Sequence, residues 1–303
     1  MGMEGRTLVC YAVSVLVLVF ILFPILLMVV GGFMPETELR SNPGERLWFV
    51  HGPTTAYYQY IFLSPFGFGF PSNDPYVTEA GFPFLSILNV QYFLPSLLNS
   101  VVVAAAVAVL NLLLASLAAF AFTRTNFRGR TGLFIFVLVS RLLPPVVLAI
   151  PYFILIQSLG LLNNLGAVIL IDTVLTLPFS IWYLVLYLRT IPVEMEEASL
   201  VDGASLMQTF RHITLRISGS GLLAITLFSF LLSYNEFLFA RFLLGRPEFT
   251  TVPVYVGSLA TSLVVYWAII HAVLALTILP MAVLVLLFKK YINITELAGA
   301  IKR

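Results

Sequence analysis

Charge is what this sequence has least of. Aspartate, glutamate, lysine and arginine make up 10% of its 303 residues, against about a quarter in soluble domains. Side chains so poor in charge cannot keep a folded surface hydrated, so that surface is expected to meet lipid. Cysteine is almost missing: Cys10 stands alone, which excludes an intrachain disulfide and a thiolate metal centre. The three histidines, His51, His212 and His271, lack any metal-ligand spacing, and no metal is expected. There is no GxxxxGK phosphate loop, no Ser–His–Asp arrangement and no pair of catalytic carboxylates. Catalysis is therefore not expected of this chain, and any ATP must be hydrolysed elsewhere. A net charge of +2 leaves no footprint for nucleic acid. The absence of an evident internal repeat weakens a reading as an inverted-repeat carrier.

Hydrocarbon is abundant instead. Hydrophobic residues make up 60% of the chain, and the mean hydropathy is +1.02. A bilayer is crossed by about 20 apolar residues in a helix, and six such runs stand at 7–33, 95–122, 132–158, 166–188, 217–242 and 263–288. They are expected to be helices, because a lone strand cannot satisfy its backbone in hydrocarbon. The fold class is thus an all-α polytopic membrane protein with six transmembrane helices. The first run follows Arg6, as in a signal peptide. Its core of about 25 apolar residues is too long for one, and "GGFMPE" is a poor cleavage site. An uncleaved anchor over 1–33 is expected, then an extracytoplasmic loop over 34–94 and a core of five further spans over 95–303.

Basic residues orient the spans, because cytoplasmic loops carry the excess of lysine and arginine. Arg6, the group Arg124, Arg128 and Arg130, then Arg189, Arg211 and Arg216, and Lys289, Lys290, Lys302 and Arg303 fall on one side. That places both termini, the stretch near residue 200 and the tail 289–303 in the cytoplasm. The outer loop contains "SPFGFGFPSNDP" with Tyr57, Tyr58 and Tyr60. It reads equally as a loop lying on the membrane interface or as a docking surface for an extracytoplasmic partner.

The stretch "EMEEASLVDGASLMQTFRHITLR" is long, polar and acidic, and lies between two apolar runs. Pro192 suits the first turn of a helix, and Glu194, Glu196 and Glu197 suit the positive end of its dipole. Asp202-Gly203 ends that helix, with Gly203 free to take the left-handed conformation. Ser205 to Gln208 reads as a capping box starting a second helix, with Phe210, Ile213 and Leu215 on its apolar side. So short a helix pair, spanning about 192–215, is not stable alone. It could lie on lipid headgroups, but its first helix carries Glu194, Glu196, Glu197 and Asp202 and no lysine or arginine. Anionic lipid repels such a helix, and a basic pocket on a protein partner fits it better.

This stretch resembles the cytoplasmic loop signature of the permeases of binding-protein-dependent ATP-binding-cassette importers: Glu-Ala-Ala, three residues, Gly, nine residues, then Ile-x-Leu-Pro. Here stand Glu197-Ala198-Ser199, Gly203, and Ile213-x-Leu215 followed by Arg216. Ser199 replaces an alanine and Arg216 the proline, a change expected to let the second helix run more smoothly into span five. Further segments are similar to the sugar-importing, maltose-type branch: "LLPPVVLAIPYFILIQSLGLLNN", "LPFSIWYLVLYLRTIPVEMEEAS", "SYNEFLFA" and the tail "AGAIKR". The resemblance runs from about residue 94 to the end. It implies a coupling-helix pair seated in a cleft of a cytoplasmic ATPase, with Glu194, Glu197, Ala198, Ser199, Asp202, Gly203, Ala204, Phe210 and Ile213 at that contact. Glu197 would pair with a basic group, Ala198 and Ser199 would allow close approach, and Gly203 would set the angle. The tail from Ala298 to Lys302 would either reach the ATPase or fray. It also implies the partners: a second permease subunit (a different chain, as is usual in that branch), two ATPase subunits carrying ATP and Mg, and an extracytoplasmic solute-binding protein. The chain itself binds no cofactor, and its place is the cytoplasmic (inner) membrane.

Polar groups within the spans are costly and face protein or water. Asn111, Arg141, Tyr152, Asp172, Asn235 and Glu236 are the candidates for a sugar path. Each also has a structural reading, such as an interhelical pair between Arg141 and an acid, or an aromatic at the lipid interface for Tyr152. The function expected is ATP-driven inward movement of a mono- or oligosaccharide. The alternatives are an importer for a polyol or glycerol phosphate, a stand-alone ion-coupled carrier, and a polytopic membrane enzyme.

Overall fold

The computed structural model describes residues 3–41, 49, 52–68, 89–261 and 265–289. Among these every regular element is helical. Four helices are long and apolar enough to cross a membrane: Val9–Gly31, Val90–Arg124, Leu165–Arg189 and Trp267–Phe288. Two bent pairs, Arg130–Ser140 with Pro145–Ser158 and Leu206–Ile217 with Gly219–Tyr234, bring the number to six if each pair is one span. The protein is an all-α, multi-pass membrane protein, as its apolar runs require. The central part of the outer loop, most of the "SPFGFGFPSNDP" stretch and the Ala298–Lys302 tail lie outside the described residues.

The chain divides into two compact units, Met1–Pro95 with Tyr255–Leu279, and Ser96–Val254 with Pro280–Arg303. In the first, helix α1 (Met3–Gly31) is exposed all along residues 9–26, the pattern of a helix meant for lipid. Its last residue and the next are Gly31 and Gly32, which lie against the late helix Trp267–Thr277. A Cβ on Gly31 would come within 2.5 Å of His271 Cδ2, and one on Gly32 within 3.0 Å of Ala272 Cα, so only glycine permits this approach. Just beyond, helix α2 (Glu36–Ser41) supplies a fully buried carboxylate. Glu36 accepts hydrogen bonds from the Trp267 and Ala268 backbone N–H groups at 3.2 and 2.8 Å. These are orphan donors at a helix start. Arg40 pairs with Glu36 at 2.8 Å and donates to the Val265 carbonyl at 2.8 Å, which holds the cap in place.

The second unit is built on two long helices, α3 (Phe93–Arg124) and α4 (Leu165–Arg189). Helix α4 starts at Asn164, whose side chain accepts from the Gly166 N–H at 2.7 Å. Helix α3 has 32 residues, about 48 Å at 1.5 Å per residue. That exceeds the roughly 30 Å of bilayer hydrocarbon, so the helix reaches past the membrane at one or both ends. Small residues on α3, Ala115 and Ala119, pack with Ile181, Leu184, Val185 and Leu188 of α4. Polar groups cross the same kind of seam: Asn111 donates to Thr176 Oγ1 at 2.6 Å, and Ser180 and Ser229 hydroxyls meet at 3.2 Å.

One span expected to be continuous is broken, and one junction expected to be smooth is bent. Residues 132–158 form two helices, Arg130–Ser140 and Pro145–Ser158, bent by 96°. Pro144 and Pro145 carry no N–H, and the residue before a proline avoids the helical region; Pro144 is indeed extended. The second elbow helix also does not run smoothly into span five. It turns by 80° before Gly219–Tyr234. The Ser218 hydroxyl bonds back to the Thr214 carbonyl at 2.6 Å, and the segment Ser218-Gly219-Ser220-Gly221 has little helix propensity. Replacing the proline by Arg216 therefore does not straighten the chain.

Candidate functional site: the polar elbow

The elbow follows its sequence rules closely. Helix α5 (Glu194–Val201) begins two residues after Pro192, which stays just outside it. The helix closes on Gly203, whose φ is +89°, a conformation open mainly to glycine. The Gly203 N–H donates to the Leu200 carbonyl at 3.1 Å and the Ala204 N–H to the Ser199 carbonyl at 3.1 Å, satisfying carbonyls at the helix end. Ser205 then forms a complete capping box with Gln208, at 2.7 Å from the Ser205 N–H to Gln208 Oε1 and 3.3 Å from the Gln208 N–H to Ser205 Oγ. It opens helix α6 (Leu206–Thr209). The chain continues in a π turn, Phe210–Thr214, an arrangement frequent at functional sites. The Ser199 and Thr209 hydroxyls lie 3.2 Å apart and tie the two short helices together.

Two faces of the elbow differ sharply. Inward, Phe210 is buried with its ring centroid 5.0 Å from that of Phe120, so it belongs to the core of its own subunit. Glu196 is buried as well. It forms an ion pair with Arg124, and its Oε1 accepts from the Thr214 hydroxyl at 2.8 Å. Arg124 in turn donates through Nη2 to the Leu188 and Ile191 carbonyls at 2.9 and 3.2 Å. Outward stand Glu194, Glu197, Ala198, Asp202 and Gly203, all exposed, with Ser199, Ala204 and Ile213 half-buried. Between these charges projects an aliphatic tip: Val201 is 87% exposed, Met207 62% and Leu206 50%.

From sequence, Glu196 counts with Glu194, Glu197 and Asp202 in an acidic helix facing a partner, though not among the coupling residues, and Arg124 counts as a topology signal only. The structure instead turns Glu196 inward onto Arg124. A signal was available. Carboxylates at 194, 196 and 197 cannot share one helix face, since neighbouring residues point about 100° apart. One of them has to turn toward the protein and find a partner there. Which one turns, and to what, depends on a pairing across 72 residues.

Some of the groups named for a sugar path lie near one another: Asn111 bonds Thr176, whose hydroxyl donates to the Asp172 carbonyl at 2.6 Å, and Tyr152 and Glu236 both meet Phe239. Asn111 and Asp172 are buried in helix seams, and Asp172 accepts from the Ser233 hydroxyl at 2.6 Å. One oxygen of each, Asn111 Oδ1 and Asp172 Oδ1, has no protein partner among the described residues. Glu236 caps the short helix Leu238–Leu243, accepting from Phe239 and Ala240 N–H at 2.8 and 2.9 Å. Arg141 is exposed at the 96° bend. Among the described residues it pairs with no acid: it donates to the Leu175 carbonyl at 3.2 Å and lies 5.5 Å from the Phe179 ring centroid. Asn235 is exposed and bonds back to Leu231, and Tyr152 packs on Phe239 at 5.8 Å.

Comparison with known proteins agrees with this arrangement. The chain is 33% identical over 212 residues to the trehalose/maltose transport system permease protein MalG of Thermococcus litoralis, covering 70% of this chain and 76% of the relative. It is 29% identical over 299 residues to the sulfoquinovosyl glycerol transport system permease protein SmoH of Agrobacterium fabrum, covering 99% and 95%. A chain in the crystal structure of a bacterial ABC transporter involved in the import of the acidic polysaccharide alginate superposes with a TM-score of 0.71 at 18% identity, over 97% of this chain and 99% of that one. At that identity the likeness is one of fold. The family model for the binding-protein-dependent transport system inner membrane component matches residues 111–293, which takes in both the elbow and the spans around it, and the chain belongs to that family.

Proposed function

We propose that this chain is a permease subunit of an ATP-binding-cassette importer that moves a sugar inward across the cytoplasmic membrane. Both termini and the elbow lie on the cytoplasmic side, where lysine and arginine are concentrated. The observation that carries the reading is the elbow's outward face. An aliphatic tip of Val201, Leu206 and Met207 rimmed by Glu194, Glu197 and Asp202 needs a cover of its own shape and opposite charge. The cover is a groove on a cytoplasmic ATPase subunit, with Glu197 facing a basic side chain there. ATP and Mg are held by two such subunits, and a second, different permease and an extracytoplasmic binding protein complete the importer. Relatives named for trehalose/maltose and for sulfoquinovosyl glycerol support a glycosidic solute.

The test is uptake into proteoliposomes holding both permeases, loaded with ATP and the ATPase subunits and supplied with binding protein and radiolabelled sugar. Uptake that needs ATP, ATPase and binding protein together is the expected result. Uptake driven by a proton or sodium gradient without them would make the chain an ion-coupled carrier. ATP-driven uptake of glycerol phosphate or a polyol, but of no sugar, would keep the machine and change the cargo.

A further inference from the structure

We propose that Arg124 and Glu196 form the joint through which displacement of the elbow reaches the membrane spans, so that breaking the joint uncouples ATP hydrolysis from transport. This deepens, and rests on, the reading of the elbow as the part held by the ATPase.

A push on the elbow has two routes along the chain. Toward span four it must pass residues 190–193, which are not helical. Toward span five it must pass the π turn and the 80° bend at Ser218. Each is a link where a push can be absorbed as local bending. The side-chain route is stiffer. Glu196 sits on the inner face of α5, and its carboxylate is held by Arg124 on one oxygen and by Thr214 on the other. Arg124 is the last residue of α3, so its backbone belongs to span two. Its guanidinium simultaneously holds the Leu188 and Ile191 carbonyls at the C-terminal end of α4, where carbonyls lack helical partners and a cation is favoured by the dipole. One planar group thus fastens the elbow, the end of span two and the end of span four.

The chemistry suits transmission better than stability. The Arg124 and Glu196 side chains are 10% and 5% exposed, so water and salt screen the pair little. A buried ion pair adds little net stability relative to an apolar contact of the same shape, so packing alone gives no reason for one here. What it supplies is direction. The rigid guanidinium fork bonds three acceptors at fixed angles, which the single ammonium of lysine cannot reproduce. Arg124 and Glu196 are positioning residues: they touch neither sugar nor nucleotide.

The test uses the complete importer in proteoliposomes, with Arg124→Lys and Glu196→Gln as conservative variants. Three quantities are read: ATPase subunit retained on purification, ATP hydrolysed, and sugar taken up. The expected result is an assembled complex that still hydrolyses ATP but moves roughly tenfold less sugar per ATP, the size of an ordinary coupling between sites. An unchanged ratio of sugar to ATP overturns the joint. So does a parallel loss of both activities with loss of the ATPase, or failure of both variants to assemble, since either would make the pair a packing element. Val201→Asp, on the exposed tip, separates this from the underlying reading. If that variant holds its ATPase as firmly as the unmodified chain, the elbow is not the docking element, whatever the two joint variants do.

Discussion

Gly221 lies flat against the ring of Tyr187: a Cβ placed on it would stand 2.5 Å from Cδ1 and 2.7 Å from Cγ. The Tyr187 hydroxyl meets Ser220 Oγ at 2.6 Å beside it, so spans four and five touch at a point where one side has no side chain. Gly221→Ala gains about 1 kcal/mol of helix propensity against about 1–3 kcal/mol of overpacking, a modest net loss. Gly221→Val adds bulk with no such gain and is expected to lower the melting temperature in detergent clearly further. Equal melting temperatures for glycine and valine would mean that the two helices are not in contact there.

The elbow's outer face gives the sharpest charge test. Glu197 is exposed, and its side chain makes no hydrogen bond or ion pair among the described residues, so Glu197→Lys should leave the subunit folded and inserted. If it faces a basic groove, the reversal turns an attraction into repulsion and is expected to reduce ATP-dependent uptake by tenfold or more, about 1.4 kcal/mol or more of lost interaction. Uptake at the unmodified rate would remove Glu197 from the docking contact.

At helix α2, Glu36→Ala leaves the Trp267 and Ala268 N–H groups without their acceptor. Loss of an N-terminal cap costs about 0.5–2 kcal/mol, and orphaned buried donors add to that. Hydrogen exchange of those two amides should speed up in the variant, while amides of the elbow stay as they were. Unchanged protection at Trp267 and Ala268 would refute the cap.

Asp172 separates a packing role from a sugar contact. Asp172→Asn keeps an acceptor for the Ser233 hydroxyl and should preserve both stability and the KM for sugar. Asp172→Leu strands that hydroxyl in the seam, at about 1–3 kcal/mol. A raised KM in the asparagine variant, with stability intact, would show that the carboxylate meets the solute.

Ser205→Ala removes the capping box and is expected to cost about 0.5–2 kcal/mol, confined to the elbow. Limited proteolysis should then cut faster near Gly203 with no change in the melting of the spans. Unchanged cleavage would mean that the tie between Ser199 and Thr209 holds the turn without the box.

What the sequence made legible was local. Gly203, Ser205 and Gln208 lie within a few residues of the groups they satisfy, so left-handed φ and capping chemistry could be read directly. The apolar runs were legible for a similar reason, because bilayer thickness sets a length that a single stretch either has or lacks. The breaks were less so. Pro144-Pro145 was visible but lay inside an unbroken apolar run, and hydropathy does not register direction. The bend at Ser218 depends on a hydroxyl choosing the Thr214 carbonyl over water, a choice made in three dimensions. The partnership of Arg124 with Glu196 joins distant stretches, and no periodicity in either one announces it. For the sugar path, polarity is the only signal that Asn111, Asp172 and Glu236 give in the sequence, and polarity at helix seams serves packing as readily as solute.

With Glu196 turned inward, the elbow presents three carboxylates around an aliphatic point rather than a wholly acidic surface. A grip of that kind is expected to outlast ionic strength. Near 1 M salt, charges are screened beyond about 3 Å, which would release a purely electrostatic clasp but would leave undiminished any burial of Val201 and Met207 against the proposed ATPase. Washing at high salt should therefore slow re-association of the motor far more than it strips the motor away.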